Sequence, residues 1–214
     1  MVVLDPGHNG GNGAAPAALR RQVPDGRGGE KACNTTGTAT DAGYPEHAFT
    51  FDVAMRVAQQ LEAAGVRVVL TRQDDDGVGP CVDERGRAGE AAGAAAVVSI
   101  HADGAAASAS GFHVAYSDPP LNPVQAGPAQ ELATALRDAM RRGGFPDSDY
   151  IGREGLSARA DLAGLNHATR PTALVECANM RNPDEAALVS SPEGRERYAA
   201  AITDGVLTYL DLSG

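Results

Sequence analysis

The sequence predicts an α/β fold, a single-domain sandwich whose central, mostly parallel or mixed twisted β-sheet is flanked by helices. Two observations carry this. Short β-branched runs at residues 2–4, 66–71, 96–100, 112–116 and 172–177 read mostly as continuous apolar stretches, the pattern of strands buried on both faces. Between them lie segments with helical spacing, and alternation of this kind lays helices over a sheet.

Taken in order, Val2-Val3-Leu4 opens the chain as a strand and runs into Asp5-Pro6-Gly7-His8. Residues 9–45 are rich in Gly, Ala, Pro, Thr and Asn and show no period. So long a stretch inside a compact domain is a functional loop near the active site or a disordered insertion. Its place between His8 and Glu46 favours the first. From Glu46 onward Phe49, Val53, Val57 and Leu61 recur every four residues, with Arg56, Gln59 and Glu62 on the opposite face and Gly65 as the stop. Further helices are expected over residues 82–94, from about 125 to 142 ahead of Gly143-Gly144, and over 192–212 with Pro192 in the first turn.

A chain of 214 residues suits one sizeable core. With 18 basic and 28 acidic residues it carries a formal charge of −10, has no Trp and shows no basic stripe, which argues against a nucleic-acid partner. No apolar run is long enough for a transmembrane span, and no signal-peptide pattern precedes the first strand. Cys177 follows an apolar run and is expected buried, without the environment that activates a thiolate. Cys33 and Cys81 lie in loop-like surroundings, where a disulfide and two free thiols are both open readings.

His8 and His101 each close a strand, and Glu176 ends another. In open α/β sheets the functional crevice lies beyond the carboxyl ends of the strands. Glu46 alone would read as a first-turn carboxylate complementing the helix dipole. Beside two histidines it completes the two-His, one-carboxylate set that catalytic zinc commonly takes. His47 points about 100° away from Glu46 on the same helix and is the weaker ligand. His113 and His167 read as structural, and Arg72 and Arg85 as loop anchors paired with carboxylates.

The ordered set Leu-Asp-Pro-Gly-His8, Glu46, Thr71-Arg72, Glu84-Arg85, Ser-Ile-His101-Ala-Asp and Leu-Val-Glu176 with Asn179 and Asn182 resembles the zinc-dependent N-acetylmuramoyl-L-alanine amidases of the Amidase_3 group. The resemblance implies that His8, Glu46 and His101 bind Zn2+ and that Glu176 is the catalytic acid–base residue. It implies a substrate, peptidoglycan or its muropeptide fragments, cut between N-acetylmuramic acid and L-alanine with zinc-bound water as nucleophile. The likeness extends to mycobacterial and actinobacterial members with a long Gly-rich insertion and two loop cysteines, in which the cysteines pair; this implies a Cys33–Cys81 bridge. It also implies an exported, periplasmic or wall-associated enzyme; the sequence leaves the oligomeric state open, and a monomer is taken as the default. After Glu176 the chain departs from the usual Gly-Phe-Leu-Ser-Asn type of segment with Cys177-Ala-Asn-Met-Arg-Asn182, which alters the adjoining substrate wall. No wall-binding module is expected within residues 1–214. Other readings are a zinc peptidase or deacetylase acting on another bond of wall fragments, and a silent wall-binding protein.

Overall fold

The computed structural model describes residues 1–211. Its elements in chain order are β1 (Val2–Pro6), a 3-10 turn (Gly10–Ala14), α1 (Pro16–Leu19), β2 (Gln22–Pro24), β3 (Glu30–Ala32), α2 (Glu46–Ala63), β4 (Val68–Leu70), α3 (Val82–Ala92), β5 (Ala96–Asp103), β6 (His113–Ser117), α4 (Pro123–Ala126), α5 (Pro128–Arg142), β7 (Leu156–Arg159), α6 (Ala163–Asn166), β8 (Thr172–Asn179), α7 (Pro183–Ser190) and α8 (Pro192–Tyr209). This is the predicted single-domain α/β class. The sheet order is β4-β1-β5-β8-β6-β7. Its first four strands are parallel; β6 runs antiparallel to β8 and parallel to β7.

One face carries the main core. Leu4, Val98, Ile100, Val114 and Val175 point into it from the strands and meet Phe49, Val53 and Leu61 of α2, Leu132 and Leu136 of α5, and Tyr198 and Ile202 of α8. The four-residue spacing read in α2 is the stripe that this burial requires. The opposite face is shared. Val3 and Val97 pack under α3, while Ala115 and Leu174 pack under Leu162 and Leu165. Between these two patches the same face turns polar, with Asp5 beside Ser99 in the strand register.

Several elements differ from expectation. The helix expected from about 125 to 142 is two helices, because Gly127 (φ −138°, ψ −83°) breaks the chain and Pro128 starts α5 with its ring at the first turn. The expected end of the last helix at Leu212 lies outside the described residues; α8 stops at Tyr209. The short elements β7, α6 and α7 carry too few residues to show a period. Residues 9–45 are ordered as the 3-10 turn, α1 and the β2–β3 hairpin, whose three-residue strands are equally aperiodic.

Cys33 and Cys81 form a disulfide across 48 residues. It fastens the end of the hairpin to the start of α3, alongside the Val82 N–H donated to the Cys33 carbonyl at 2.8 Å. Replacing both cysteines by alanine should lower the unfolding free energy by about 4 kcal/mol on the chain-entropy account. Urea denaturation of the two proteins without reductant would measure this, and superimposable curves would contradict it.

Candidate metal centre and catalytic cavity

The turn after β1 presents His8, and its geometry is held from both sides. The Arg85 guanidinium, buried, donates to the Asp5 carboxylate at 2.7 Å, the Pro6 carbonyl at 2.7 Å and the His8 carbonyl at 2.8 Å. Arg72 donates to the Pro6 carbonyl at 3.0 Å and the His47 carbonyl at 2.8 Å, so it ties the same turn to the first turn of α2. Thr50 adds a hydroxyl bond to the Gly7 carbonyl at 2.8 Å. Within this clamp His8 adopts φ +61°, a left-handed conformation that a non-glycine side chain keeps only where surroundings over-determine it.

Three candidate ligands converge. Glu46 Oε1 lies 3.1 Å from His8 Nε2 and 3.0 Å from His101 Nδ1. Its other oxygen accepts the Thr38 N–H at 2.9 Å. His8 Nδ1 lies 3.1 Å from the Thr35 carbonyl, which can only accept, so the ring proton is on Nδ1 and Nε2 is left facing the Glu46 carboxylate. At 3.1 Å this approach is satisfied by a proton on Nε2, which the Glu46 carboxylate favours, or by a metal cation bound to both atoms. Burial acts against a charged His8, yet the Glu46 carboxylate outweighs it and raises the histidine above its usual value. Burial likewise acts to raise the Glu46 carboxyl, but its bonds to His101 and His8 hold it well below the ordinary carboxylate range. Two imidazole nitrogens and one ionised carboxylate, with ligand atoms all within 4.8 Å of one another, are a donor set that fits a divalent metal of zinc's type.

Backbone approaches this cluster where side chains cannot. A Cβ on Gly7 would come within 2.2 Å of the His101 ring. A Cβ on Gly37, which sits at φ +76°, would come within 2.7 Å of Glu46 Oε2. The long loop therefore closes directly over the cluster, through Thr35, Gly37 and Thr38.

His47 belongs elsewhere: its Nδ1 pairs with Asp75 at 2.7 Å. His167 is held by the Pro24 carbonyl at 2.9 Å, as a satisfied loop histidine. Cys177 is buried on the core side of the sheet, and that burial pushes its thiol well up.

Glu176 is paired in register with His101 across β5 and β8. Both line a cavity of about 500 Å³ whose walls include Asp103, Lys31, Leu162 and Leu174. Burial is the main cause that raises the Glu176 carboxyl well above its ordinary value, and the negative charges of Glu46 and Asp103 add to it, against Arg159. One of its oxygens, Oε2, is shielded from solvent and has no hydrogen-bond partner. Asp103, the last residue of the Ser-Ile-His-Ala-Asp motif, was given no role from the sequence; it lines the cavity and accepts a bond from the Tyr150 hydroxyl at 3.1 Å. It stands two residues past His101, and the length of β5 was the signal that could have found it. Nothing in the sequence flagged Thr35, Gly37 or Thr38.

Known proteins match the chain along its whole length. The family described as N-acetylmuramoyl-L-alanine amidase, Amidase_3, matches residues 2–208. The N-acetylmuramoyl-L-alanine amidase Rv3717 of Mycobacterium tuberculosis is 50% identical over 214 residues, spanning 100% of this chain and 88% of the relative. The crystal structure of the N-acetylmuramyl-L-alanine amidase Ami1 from Mycobacterium smegmatis superposes with a TM-score of 0.96 at 51% identity, covering 99% of this chain and 97% of that one. The apo form of Ami1 from Mycobacterium abscessus gives 0.95 at 51% identity, covering 98% and 97%.

The Arg85–Asp5 pair is buried, so removing one partner strands the other. Arg85→Met should destabilise the fold by about 3–5 kcal/mol. The Asp5 carboxyl is lowered: burial acts to raise it, but Arg85, Thr71 and Ser99 together prevail. Its contribution is therefore complete above the ordinary value of 3.8 and drains as pH falls below it. Thermal unfolding from pH 7 to pH 3 should show this loss in the parent and less of it in Arg85→Met, and parallel curves would refute the assignment.

Proposed function

Because the chain belongs to the Amidase_3 family of N-acetylmuramoyl-L-alanine amidases, we propose that it hydrolyses the amide between N-acetylmuramic acid and L-alanine as a zinc enzyme, with His8, Glu46 and His101 as ligands and Glu176 as general acid–base. The observation that carries this reading is the register of β5 and β8. It sets Glu176 beside His101 on the wall of one cavity, with the other two candidate ligands converging there.

An amide is a weak electrophile and water a weak nucleophile. Zinc held by the three side chains supplies a Lewis acid that polarises the scissile carbonyl and acidifies water. His8, fixed by its Nδ1–H bond to Thr35, keeps Nε2 oriented toward the site. Glu46, anchored by the Thr38 and Ala102 N–H groups, stays ionised and cannot relay protons. Glu176 is the carboxyl that can. Its pKa is raised by burial and then by the like charges of Glu46 and Asp103, the direction in which a glutamate is tuned for acid–base work. It takes the proton as water's oxygen bonds to the lactyl carbonyl carbon. It then returns the proton to the L-alanine nitrogen as the C–N bond breaks, leaving a lactyl carboxylate and a free stem peptide.

The Cys33–Cys81 bridge supports an exported location, since disulfides persist in oxidising compartments. No helix among the described residues is long and apolar enough to cross a membrane. The net charge of −10 argues against a nucleic acid as partner.

The test separates metal from proton transfer. Glu176→Gln should retain zinc and lose turnover by about 10²–10⁴-fold. His8→Ala and His101→Ala should lose zinc. Metal analysis with mass spectrometry of products from a defined muropeptide reads both outcomes. Normal turnover in Glu176→Gln would overturn its role, and products cut at another bond would turn the assignment to a peptidase or deacetylase.

A further inference from the structure

Glu176 has a second neighbour across the sheet. Because β6 runs antiparallel to β8, the amino end of β6 lies at the carboxyl end of β8, and His113 is the register partner of Glu176. The residues directly paired across adjacent strands share a face of the sheet. His101, Glu176 and His113 therefore form one row across β5, β8 and β6. His113 is 1% exposed, and neither of its ring nitrogens has a hydrogen-bond partner. Glu176 Oε2 is buried and unpartnered as well. Orphaned buried polar atoms are rare because each forfeits its hydration without compensation. Finding them on two register-paired side chains points to one shared cause.

We propose that His113 is a positioning residue for Glu176, its ring N–H donating to Oε2 so that the other carboxyl oxygen is aimed at the reacting atoms. This rests on the reading of Glu176 as the general acid–base. Opposed Cβ atoms in an antiparallel pair stand about 4.5–5.5 Å apart, a separation that an imidazole and a carboxyl can bridge. Bonds of this kind are often open before substrate arrives and tighten in the complex. The surroundings keep the imidazole neutral, which leaves it one donor and one acceptor. Burial brings it down to about 4, with Asp103 raising and Arg159 lowering it. The Tyr150 ring packs edge-on against it, centroids 6.2 Å apart, and limits its freedom. The Tyr150 hydroxyl is engaged with Asp103 and does not compete for Glu176. The polar groups facing this pair are thus Glu46 from α2, His101 and Asp103 from β5, Tyr150 from the segment before β7, and Arg159 from β7.

A histidine that merely fills the core gives the opposite expectation. Exchanging it for an apolar ring of similar shape would relieve two orphaned nitrogens and leave turnover alone. His113→Phe, His113→Gln and Glu176→Gln should be compared on a purified muramyl peptide, with kcat, KM, zinc content and melting temperature measured for each. His113→Phe should keep KM, zinc and melting temperature, yet lose kcat on the order of 10²-fold, the scale of a misplaced catalytic group. His113→Gln, which restores a donor, should recover most of that loss. Parental kcat in His113→Phe, or equal impairment in Phe and Gln variants, would overturn the positioning role. An active Glu176→Gln would instead overturn the reading of Glu176 beneath it, so the two failures are distinct.

Discussion

The site depends on one buried ion pair. Asp5 cannot be solvated where it sits, and Arg85 reaches it from α3 while also bonding the carbonyls of Pro6 and His8. The pair therefore ties the end of β1 to α3 and fixes the path of the turn in between. Without it the left-handed backbone of His8 would relax, since nothing intrinsic to a histidine favours φ +61°. Arg72 repeats the device on the other side, and its bond to the His47 carbonyl sets the first turn of α2 against the same turn. Glu46 and His8 come from segments 38 residues apart in sequence. Their 3.1 Å approach follows from two guanidinium groups that each bridge backbone to backbone.

The sheet does the rest through register. Once β5 and β8 pair in parallel with Val97 opposite Thr172, the alternation of side chains places Ser99 by Leu174 and His101 by Glu176 on the same face. A slip of one residue would send Glu176 into the core beneath α5. The continuous apolar runs on the other face, buried against α2, α5 and α8, make such a slip prohibitive. Fold stability and catalytic geometry are thus set by the same pairing.

What the sequence made legible follows from this. The apolar runs of β1, β5 and β8 are easily seen, and His8 lies in the turn directly after β1. His101 and Glu176 do not end their strands as expected: β5 runs on to Asp103 and β8 to Asn179, so these strands are longer than their apolar runs. The convergence follows from the carboxyl halves of the strands rather than from their ends. The 46–63 helix was equally clear, because burial against the sheet demands its period. Glu46 was ambiguous, since a first-turn carboxylate has a sufficient local explanation; only its tertiary partners single it out. His113 was read as structural because strand direction leaves no mark in a five-residue apolar run. Its place at the crevice follows from β6 running opposite to β8. The loop of residues 9–45 was illegible for a different reason. Its order comes from a disulfide, from backbone bonds to α3 and from glycines that admit neighbouring side chains, none of which imposes a period on the sequence.

In the proposed mechanism two identical side chains, Glu46 and Glu176, take unlike duties. Both are withdrawn from water, and burial by itself would push both carboxyls upward. Glu46 meets two imidazoles and two backbone N–H groups, so its charged form prevails. Glu176 has no such donors: burial, and after it the negative charges of Glu46 and Asp103 with Arg159 in opposition, raise its carboxyl above the ordinary value. The ionised Glu46 is part of what raises Glu176, as the proposed division between a ligand and an acid–base residue requires. Pairs of titratable groups driven apart by their surroundings mark the division between holding charge and moving protons. Here that division runs between the first turn of α2 and the carboxyl half of β8, and it requires the sheet register and the arginine-clamped turn together.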